Sequence, residues 1–472
     1  MEYDERDLLA IPRGVITAPA GCGKTQLIVK ALAAYRGQKP VLVLTHTNAG
    51  VAALRSRLRY HTVSGHVYRL YTIDGWAMHL VTIFPERSGY RPEFLDADKP
   101  NYQAIRDAAR KLLKSCDVNE VLQASYQNLI VDEYQDCSLA QHEMVKFLSQ
   151  LFHTVILGDP MQAIFGFRNS LVDWNTDVCA HFSPIGSLEI PWRWKKVDAE
   201  ELGDWLMEVR KRLIKNEPVD LQTAPSLFVT WRKLPEDYRE RLKAVSHSLS
   251  QYLKCKKVLI LADSSNVKQQ RELARNIYGV SLVEAVELTD LIKFCKSFEV
   301  NGENALVQLL EFAKEMMTHV NLKNIIDRLD CLQRKTEKKA PDDFEIASLT
   351  FKERPNYLNV LNLLVALKKR PKVRVFRPTL FNGLIKTLRE ASAGLSLKNA
   401  AQRVRNQNRM FSHFLPNFAL GSTLLFKGLE AEVVVILNPE KMTAKNLYVA
   451  LTRGAKRIVV HSNTSLIVPK SK

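Results

Sequence analysis

The stretch Val15-Ile-Thr-Ala-Pro-Ala-Gly-Cys-Gly-Lys-Thr-Gln26 decides the fold of this 472-residue chain. Its β-branched start predicts a strand, its glycines predict a tight loop, and residues 26–35 predict a helix. Such a loop presents backbone N–H groups and a positive helix end to phosphates, while its lysine reaches the β and γ oxygens and its hydroxyl ligates magnesium. The predicted nucleotide-binding residues are Ala18, Ala20, Gly21, Cys22, Gly23, Lys24, Thr25 and Gln26.

An acidic motif follows a second apolar run. Asp132 and Glu133 come directly after Leu129-Ile-Val131, and Gln135 and Asp136 extend the motif. Hydrolysis of a nucleoside triphosphate needs a cation at the β and γ oxygens and a carboxylate near the attacking water. An acidic pair that only caps a helix is the alternative. Combined with the phosphate loop, the pair predicts a nucleoside triphosphatase.

The composition is typical of a globular protein, and its charge predicts a polyanionic partner. Lys plus Arg number 68 against 50 for Asp plus Glu, which gives a net charge of +18. A basic surface that serves only solubility is the alternative, but clusters that recur along the chain favour a nucleic-acid track. These clusters lie at 210–212, 254–257, 334–339, 368–374 and 403–409.

The cysteines and the apolar runs predict where the protein resides. Seven cysteines are scattered without a C-x-x-C pair, so we expect reduced thiols in a cytoplasmic protein, without zinc and without disulfides. The amino terminus lacks the pattern of a signal peptide, and no apolar run approaches the length of a membrane span. We therefore expect no membrane partner.

The order of apolar patterns predicts a divided α/β chain. Strands alternate with helices through the first 170 residues, as in an open parallel sheet whose ligands gather at the carboxyl ends of the strands. Residues 80–125 interrupt this pattern as a small insertion. Residues 281–410 read as mostly helical, with apolar stripes that predict core packing. The sheet pattern returns at 432–437 and 457–461.

Six further motifs follow along the chain, and their order is informative. They are Thr45-His-Thr-Asn48, Thr72-Ile-Asp-Gly-Trp76, Gly158-Asp-Pro-Met-Gln-Ala-Ile-Phe-Gly-Phe-Arg168, Pro191-Trp-Arg193, Phe426-Lys-Gly-Leu-Glu430 and Val449-Ala-Leu-Thr-Arg-Gly454. With the phosphate loop and the acidic motif, they resemble the superfamily 1 helicases of the UvrD/Rep/PcrA type at both ends of the chain. The central helical block matches only loosely.

The resemblance implies an α/β fold with two RecA-like P-loop NTPase domains and small, mainly helical insertions. The first RecA-like domain is expected at 1–79 plus 126–187, with a helical insertion at 80–125. The second is expected at 188–280 plus 411–472, with a reduced helical insertion at 281–410.

The resemblance also assigns roles in ATP and Mg²⁺ use. Thr25 and Asp132 would hold the metal, Glu133 would be the base that orients water, and Gln162 would sense the γ-phosphate. The other nucleotide residues are Trp192 over the base, Glu430 near the sugar, and Arg193 and Arg453 as arginine fingers. For Arg453, a surface salt bridge is the alternative.

Contacts with DNA are implied for a second set of residues. This set is Thr45, His46, Asn48, Thr72, Trp76, Phe165, Phe167, Arg168 and Lys427. Aromatic rings that stack on bases tolerate any sequence, which suits a translocating motor. The alternative for Phe165, Phe167 and Trp76 is packing in the core.

Four positions depart from the pattern of this family. No glutamine precedes Gln26, and Gln26 itself stands where the family tends to have an arginine, so adenine selectivity is open. His46 replaces a base-stacking phenylalanine and Leu424 replaces a histidine, so we expect the grip on the strand to be weaker or differently arranged.

The resemblance predicts an ATP-dependent DNA helicase or translocase that acts on single-stranded or tailed DNA, with 3′ to 5′ polarity. Its reduced size is similar to the helicase-like subunit of Gabija-type antiviral defence systems, whose partner is an OLD-like nuclease. The alternative function is a nucleotide- and DNA-sensing regulatory subunit that activates a partner nuclease without processive unwinding. A small-molecule kinase would explain neither Arg453 nor the motif from Lys427 to Glu430.

Overall fold

The computed structural model describes residues 8–91, 101–165, 171–263, 265–334, 336, 339–410 and 415–471. The chain forms two compact units. The first unit comprises Met1–Lys233 and Lys427–Lys472, and the second comprises Leu234–Phe426. No described helix is both long enough and apolar enough to cross a bilayer.

The described strands, in chain order, are β1 Arg13–Thr17, β2 Val41–Thr45, β3 Tyr68–Thr72, β4 Asn128–Val131, β5 His153–Gly158, β6 Ser183–Ser187, β7 Val219–Asp220, β8 Val229–Lys233, β9 Val258–Leu261, β10 Ser281–Leu282, β11 Phe418–Gly421, β12 Ala431–Leu437, β13 Gly454–Ser462 and β14 Leu466–Ile467.

The described α-helices are α1 Lys24–Ala34, α2 Asn48–Tyr60, α3 Ile73–Ile83, α4 Pro85–Ser88, α5 Tyr102–Lys114, α6 Asn119–Ser125, α7 Leu139–Leu148, α8 Cys179–His181, α9 Trp192–Lys195, α10 Glu200–Ile214, α11 Tyr238–Ser250, α12 Val267–Asn276, α13 Thr289–Ser297, α14 Ala305–Met316, α15 Leu322–Gln333, α16 Asp343–Glu353, α17 Tyr357–Lys369, α18 Pro378–Ser392, α19 Leu397–Met410 and α20 Ala444–Leu451.

A parallel six-stranded sheet forms the centre of the first unit. Its strand order is β3-β2-β4-β5-β1-β6, and every paired neighbour is parallel. Strands β2 and β4 are buried at every position, which is typical of parallel sheets covered on both faces. Helices α1 and α2 cover one face, where Leu27, Leu54 and Leu58 enter the core. Helices α3, α5 and α7 cover the other face.

Each unit contains further parallel strands. In the first unit, β13 pairs with β12 on one side and with β8 on the other. In the second unit, β11 pairs with β9 and β10. The α/β fold class with two parallel sheet regions is therefore confirmed. The exact domain boundaries stay predictions.

The second unit is mainly helical from α13 to α19. One apolar cluster joins these helices and includes Leu309, Leu310, Leu363, Leu364 and Leu384. The predicted apolar stripes thus lie in α14 and α17, with their buried faces in this core. The stripes are packing surfaces, as expected.

Arg377 is a buried charge inside the second unit. Its side chain is 1% exposed and pairs with Glu284 and Asp290. Burial disfavours the guanidinium, but the bonds to these carboxylates outweigh burial and raise its pKa. The arginine therefore holds two acidic side chains that would otherwise repel each other.

Replacing Arg377 by methionine should lower the free energy of unfolding by about 3–5 kcal/mol, because Glu284 loses its counter-ion and Asp290 keeps only Arg271. Urea titration followed by circular dichroism would measure the change. The control is Arg403→Met, since Arg403 is 64% exposed and lies 3.8 Å from Glu390, where the expected cost is below about 1 kcal/mol. Equal costs for the two variants would contradict this account.

Candidate functional site

The loop between β1 and α1 has the backbone of a phosphate cradle. Gly21 and Gly23 have φ angles of 77° and 89°, a left-handed conformation that favours glycine. A Cβ on Gly21 would lie 2.5 Å from Trp194 Cζ3, and one on Gly23 would lie 3.1 Å from Trp192 Cδ1. Only backbone fits in this space, so residues 18–25 suit a bound phosphate chain at the start of a helix.

A tyrosine from the carboxy-terminal segment anchors this loop. The backbone N–H of Ala20 donates to Tyr448 Oη at 3.0 Å, and that of Ala18 donates to the Gly158 carbonyl at 2.8 Å. Burial raises the pKa of Tyr448 well above its ordinary value, so the phenol stays neutral. The sequence analysis missed Tyr448, although it stands directly before the motif that contains Arg453.

Lys24 lies between the two carboxylates of the acidic motif. Its Nζ is 3.0 Å from Asp132 Oδ1 and also donates to Glu133 Oε1. Burial disfavours the ammonium, but the two carboxylates outweigh it and raise the pKa of Lys24. Burial also disfavours the charged form of Glu133 and by itself would raise its pKa, but the charges of Lys24 and Lys427 lower that pKa to about 2. Glu133 is therefore ionised at neutral pH.

The backbone at Glu133 adopts a conformation that L-residues rarely use. Its φ angle is 56°, which costs of order 1 kcal/mol and persists only where the surroundings impose it. Here the Glu133 N–H donates to Asp132 Oδ1 at 2.9 Å, and Gln135 Nε2 donates to Glu133 Oε2 at 2.5 Å. These bonds fix the direction of the carboxylate.

A buried polar chain links Glu133 to Gln162. Gln135 Oε1 accepts from the Asp159 N–H at 3.0 Å, and Gln162 Nε2 donates to Asp159 Oδ2 at 3.1 Å. Arg210 neutralises the fully buried Asp159 with an Nη2–Oδ1 distance of 2.8 Å. The sequence analysis missed Asp159 and Arg210. Asp159 lies within the motif at 158–168 and Arg210 within the basic cluster at 210–212. Neither pattern predicts that the two side chains pair.

Trp192, Arg193 and Glu430 lie together beside the phosphate loop. The Arg193 N–H donates to the Gly21 carbonyl at 3.0 Å, and its Nη2 donates to Glu430 Oε1 at 2.6 Å. Trp192 is 43% exposed, and its indole faces Gly23. The structure thus brings three predicted nucleotide residues to one edge of the loop.

Arg453 is buried and is held by backbone oxygens and a hydroxyl. Its Nε donates to the Val449 carbonyl at 2.9 Å, its Nη1 to the Leu429 carbonyl at 3.3 Å, and its Nη2 to Thr452 Oγ1 at 3.0 Å. Burial, reinforced by repulsion from Arg193, lowers its pKa to about 10. Arg453 is still cationic at neutral pH, and this geometry excludes the alternative of a surface salt bridge.

Lys427, whose contact with DNA stays a prediction, is a buried counter-ion in this structure. Its side chain is 6% exposed, and its Nζ donates to both oxygens of Asp136 and to the Gln162 carbonyl. The ammonium also lies 4.6 Å from the centroid of the Phe165 ring. Burial raises the pKa of Asp136 to about 7 although Lys427 acts in the opposite direction. Lys427 therefore connects two motifs of the first unit.

The remaining predicted strand contacts differ in accessibility. Asn48 is exposed at the start of α2, whereas Thr45 is buried and Thr72 caps α3 by accepting from the Gly75 N–H. Trp76 is 1% exposed and belongs to the core, so its indole cannot stack on a base in this conformation. The packing alternative is the one that this burial supports.

His46 and Phe165 form an aromatic pair near Lys427, with ring centroids 5.8 Å apart. Burial lowers the pKa of His46 to about 4, so the imidazole is neutral. Within the described ranges, Thr45 Oγ1 and His46 Nδ1 are buried without a hydrogen-bond partner, and such atoms mark places where a ligand or water supplies the bond. Phe167 and Arg168 lie outside the described residues.

Part of the chain matches a known protein family. Residues 7–168 match the AAA_19 family, described as an AAA domain. This match spans both the phosphate loop and the acidic motif. A stretch of 68 residues, 14% of the chain, is 40% identical to the exonuclease/helicase protein RexA of Lactococcus lactis subsp. cremoris and covers 6% of that protein.

A longer match is more distant. Over 217 residues, 42% of the chain, identity to the ATP-dependent DNA helicase srs2 of Schizosaccharomyces pombe is 22%, and 24% of that protein is covered. A solved complex of an Arterivirus nonstructural protein 10 helicase with DNA aligns with 97% of this chain and 62% of that one, at 10% identity and a TM-score of 0.37. The chain spans under a quarter of the length of each of these two sequence relatives, and the names of both relatives include a helicase.

Replacing Lys427 by methionine should lower the free energy of unfolding in the absence of DNA by about 1–3 kcal/mol, because Asp136 would lose its counter-ion and have to bind a proton. Urea unfolding of the DNA-free protein would measure this change. The double variant K427M/D136L should recover much of the loss, since no buried charge remains. If Lys427→Met leaves stability unchanged, the buried pair is not the main role of Lys427.

Proposed function

We propose that this chain is an ATP-dependent DNA translocase or helicase that acts on single-stranded or tailed DNA. The observation that carries the proposal is the cluster of Lys24, Asp132 and Glu133 at the carboxyl ends of parallel strands. From this cluster the polar chain runs to Gln162. This arrangement supports hydrolysis of a nucleoside triphosphate at the cluster. Through the polar chain, a change at Glu133 would alter the hydrogen bonding of Gln162 in the motif at 158–168.

The residues present fit ATP and Mg²⁺. Lys24 and the backbone of residues 18–25 would bind the phosphates, and Thr25 with Asp132 would hold the metal. When bound, Mg²⁺ supplies Lewis-acid stabilisation of phosphate charge. Glu133, ionised because of Lys24 and Lys427, would orient the attacking water and accept its proton. Its carboxylate is already held by Gln135.

Two arginines would stabilise charge that develops on the phosphates. Arg193 is bonded to Glu430 at the edge of the phosphate loop, and Arg453 is held inside by three oxygens. A cation that is fixed in advance loses little freedom when the reaction proceeds, which is the basis of electrostatic catalysis. This supports the assignment of both as arginine fingers.

The strand would be contacted by Asn48, His46 and Phe165. Phe165 touches Lys427, and Lys427 binds Asp136 and the Gln162 carbonyl. A strand that displaced the Phe165 ring would therefore disturb the neighbours of Glu133. Movement with 3′ to 5′ polarity is proposed on the resemblance to superfamily 1 helicases alone.

A second candidate is a regulatory subunit whose hydrolysis switches a partner nuclease of the OLD-like class, as in antiviral defence. The burial of Trp76 and Lys427 favours it, because two predicted strand contacts are withdrawn from the surface. Unwinding of a tailed duplex by the purified chain separates the candidates. Hydrolysis that DNA stimulates, without strand separation, would favour the regulatory subunit.

Replacing Lys24 by alanine should abolish ATP hydrolysis, because the phosphates lose their principal cation. Phosphate release from ATP and GTP, with and without single-stranded DNA, is the measurement. Lys30→Ala on the same helix is the control, since Lys30 is exposed and should leave the rate unchanged. Full activity of Lys24→Ala would refute the proposed site.

Replacing Arg453 by alanine should retain nucleotide binding and reduce turnover by about 10³-fold or more, as expected for an arginine finger. Binding of a fluorescent ATP analogue and steady-state hydrolysis give the two readouts. Lys456→Ala serves as a control, because Lys456 is 54% exposed and pairs with Glu432. Normal turnover of the Arg453 variant would remove it from the mechanism.

A further inference from the structure

Residues 8–73 contain no aspartate or glutamate, although the average content of the chain would place about seven there. They contain Arg13, Lys24, Lys30, Arg36, Lys39, Arg55, Arg57, Arg59 and Arg69. This stretch forms β1, β2, β3, α1 and α2 of the first unit. The sheet face covered by α1 and α2 is therefore lined by helices that contain no carboxylate side chain.

Helix α2 presents the densest part of this charge. Leu54 and Leu58 are buried against the sheet, while Arg55, Arg57 and Arg59 are exposed. Tyr60, at the end of the helix, is 85% exposed. We call Arg55, Arg57, Arg59 and Tyr60 the α2 surface.

The charge of the α2 surface is not neutralised within the described part of the chain. None of its three arginines forms an ion pair with a described residue. Helix α2 packs on α1, β2 and β3, and all three belong to the stretch without acidic residues. Hence all three guanidinium groups face solvent, and Arg55 and Arg59 lie one turn apart on the same side of the helix.

Helix capping explains only part of this pattern. Cations in the last turn interact favourably with the helix dipole, by about 0.3–1 kcal/mol each, and Arg57 and Arg59 lie there. The dipole accounts neither for an aromatic ring left 85% exposed at the same end nor for the lack of acidic neighbours. Guanidinium groups beside an exposed ring are the features with which proteins hold single strands.

We propose that the α2 surface binds the phosphodiester backbone of single-stranded DNA and that Tyr60 stacks on a base. The proposal rests on the proposed function and extends its DNA path. Helix α2 begins at Asn48, a predicted strand contact, and its 13 residues span about 20 Å.

The test compares two triple variants that remove the same charge. R55Q/R57Q/R59Q alters the α2 surface. R110Q/K215Q/K456Q alters cations of the same unit that lie outside the basic clusters, and two of them already pair with Glu143 and Glu432. Fluorescence anisotropy of a labelled oligothymidine, over a series of salt concentrations and without nucleotide, measures affinity and its salt dependence.

The α2 variant should bind oligothymidine at least about tenfold more weakly, and the slope of log affinity against log salt should fall by about 2, since each phosphate contact on a single strand contributes about 0.7. The control triple should keep the slope of the unaltered protein. Equal losses in the two triples would mean that only net charge matters and would overturn the proposal.

Tyr60 gives an independent readout. Tyr60→Ala should weaken binding by about 1–3 kcal/mol, equivalent to a factor of about 5 to 150, with no change of salt slope, because stacking releases no counter-ions. Tyr60→Phe should restore affinity because it retains the ring. If neither Tyr60→Ala nor the arginine triple affects DNA binding, the α2 surface serves another partner, such as an acidic protein, and the proposal is refuted.

Failure of the proposed function would look different. Hydrolysis without DNA should be the same in both triples and in the unaltered protein, since the α2 surface contains no nucleotide residue. An unaltered protein that binds oligothymidine but does not hydrolyse ATP would contradict the proposed function while leaving the α2 test valid. Matching urea midpoints of the variants would exclude unfolding as the cause of weaker binding.

Discussion

The first unit depends on one electrostatic arrangement, the Lys24 ammonium held between Asp132 and Glu133. Two carboxylates that are adjacent in sequence, one buried and one partly buried, would repel each other, and this repulsion together with burial favours protonation of one of them. The lysine prevents this for Glu133, whose pKa falls to about 2. The same ammonium is the group that nucleotide phosphates require. Under the proposed function, binding a nucleotide and holding the acidic pair are therefore competing uses of Lys24.

The polar groups around this cluster form a continuous structure rather than separate motifs. Gln135 bonds both Glu133 and the backbone of Asp159, and Asp159 accepts from Gln162. Lys427 then joins the Gln162 carbonyl to Asp136. Because each buried group has a partner only while its neighbours stay in place, a shift at the phosphates would change the hydrogen bonding of the whole set. For the proposed function, this set would be the physical link between ATP hydrolysis and a bound strand.

Charge is distributed so that acidic and basic roles are separated. Asp132, Asp136 and Asp159 are buried, whereas the α2 surface is basic and the elements on which it packs, α1, β2 and β3, contain no acidic residue. A polyanion approaching this helix would thus meet three exposed arginines that form no ion pair with any residue the structure describes. The net charge of +18 reflects a localised feature at this helix as well as a general excess of basic residues.

The sequence by itself determined the α/β class, the phosphate loop and the acidic pair, because glycine conformation, apolar runs and the charge needs of phosphate are local properties. It could not decide whether the side chains of Trp76 and Lys427 are accessible. In the tertiary structure Trp76 lies in the core, and Lys427 pairs with Asp136, which is 291 positions away in the chain. Tyr448, Asp159 and Arg210 likewise acquire their roles only through partners distant in sequence. Local pattern specifies which chemistry a residue can perform, but burial and long-range pairing decide whether it faces nucleotide, strand or core.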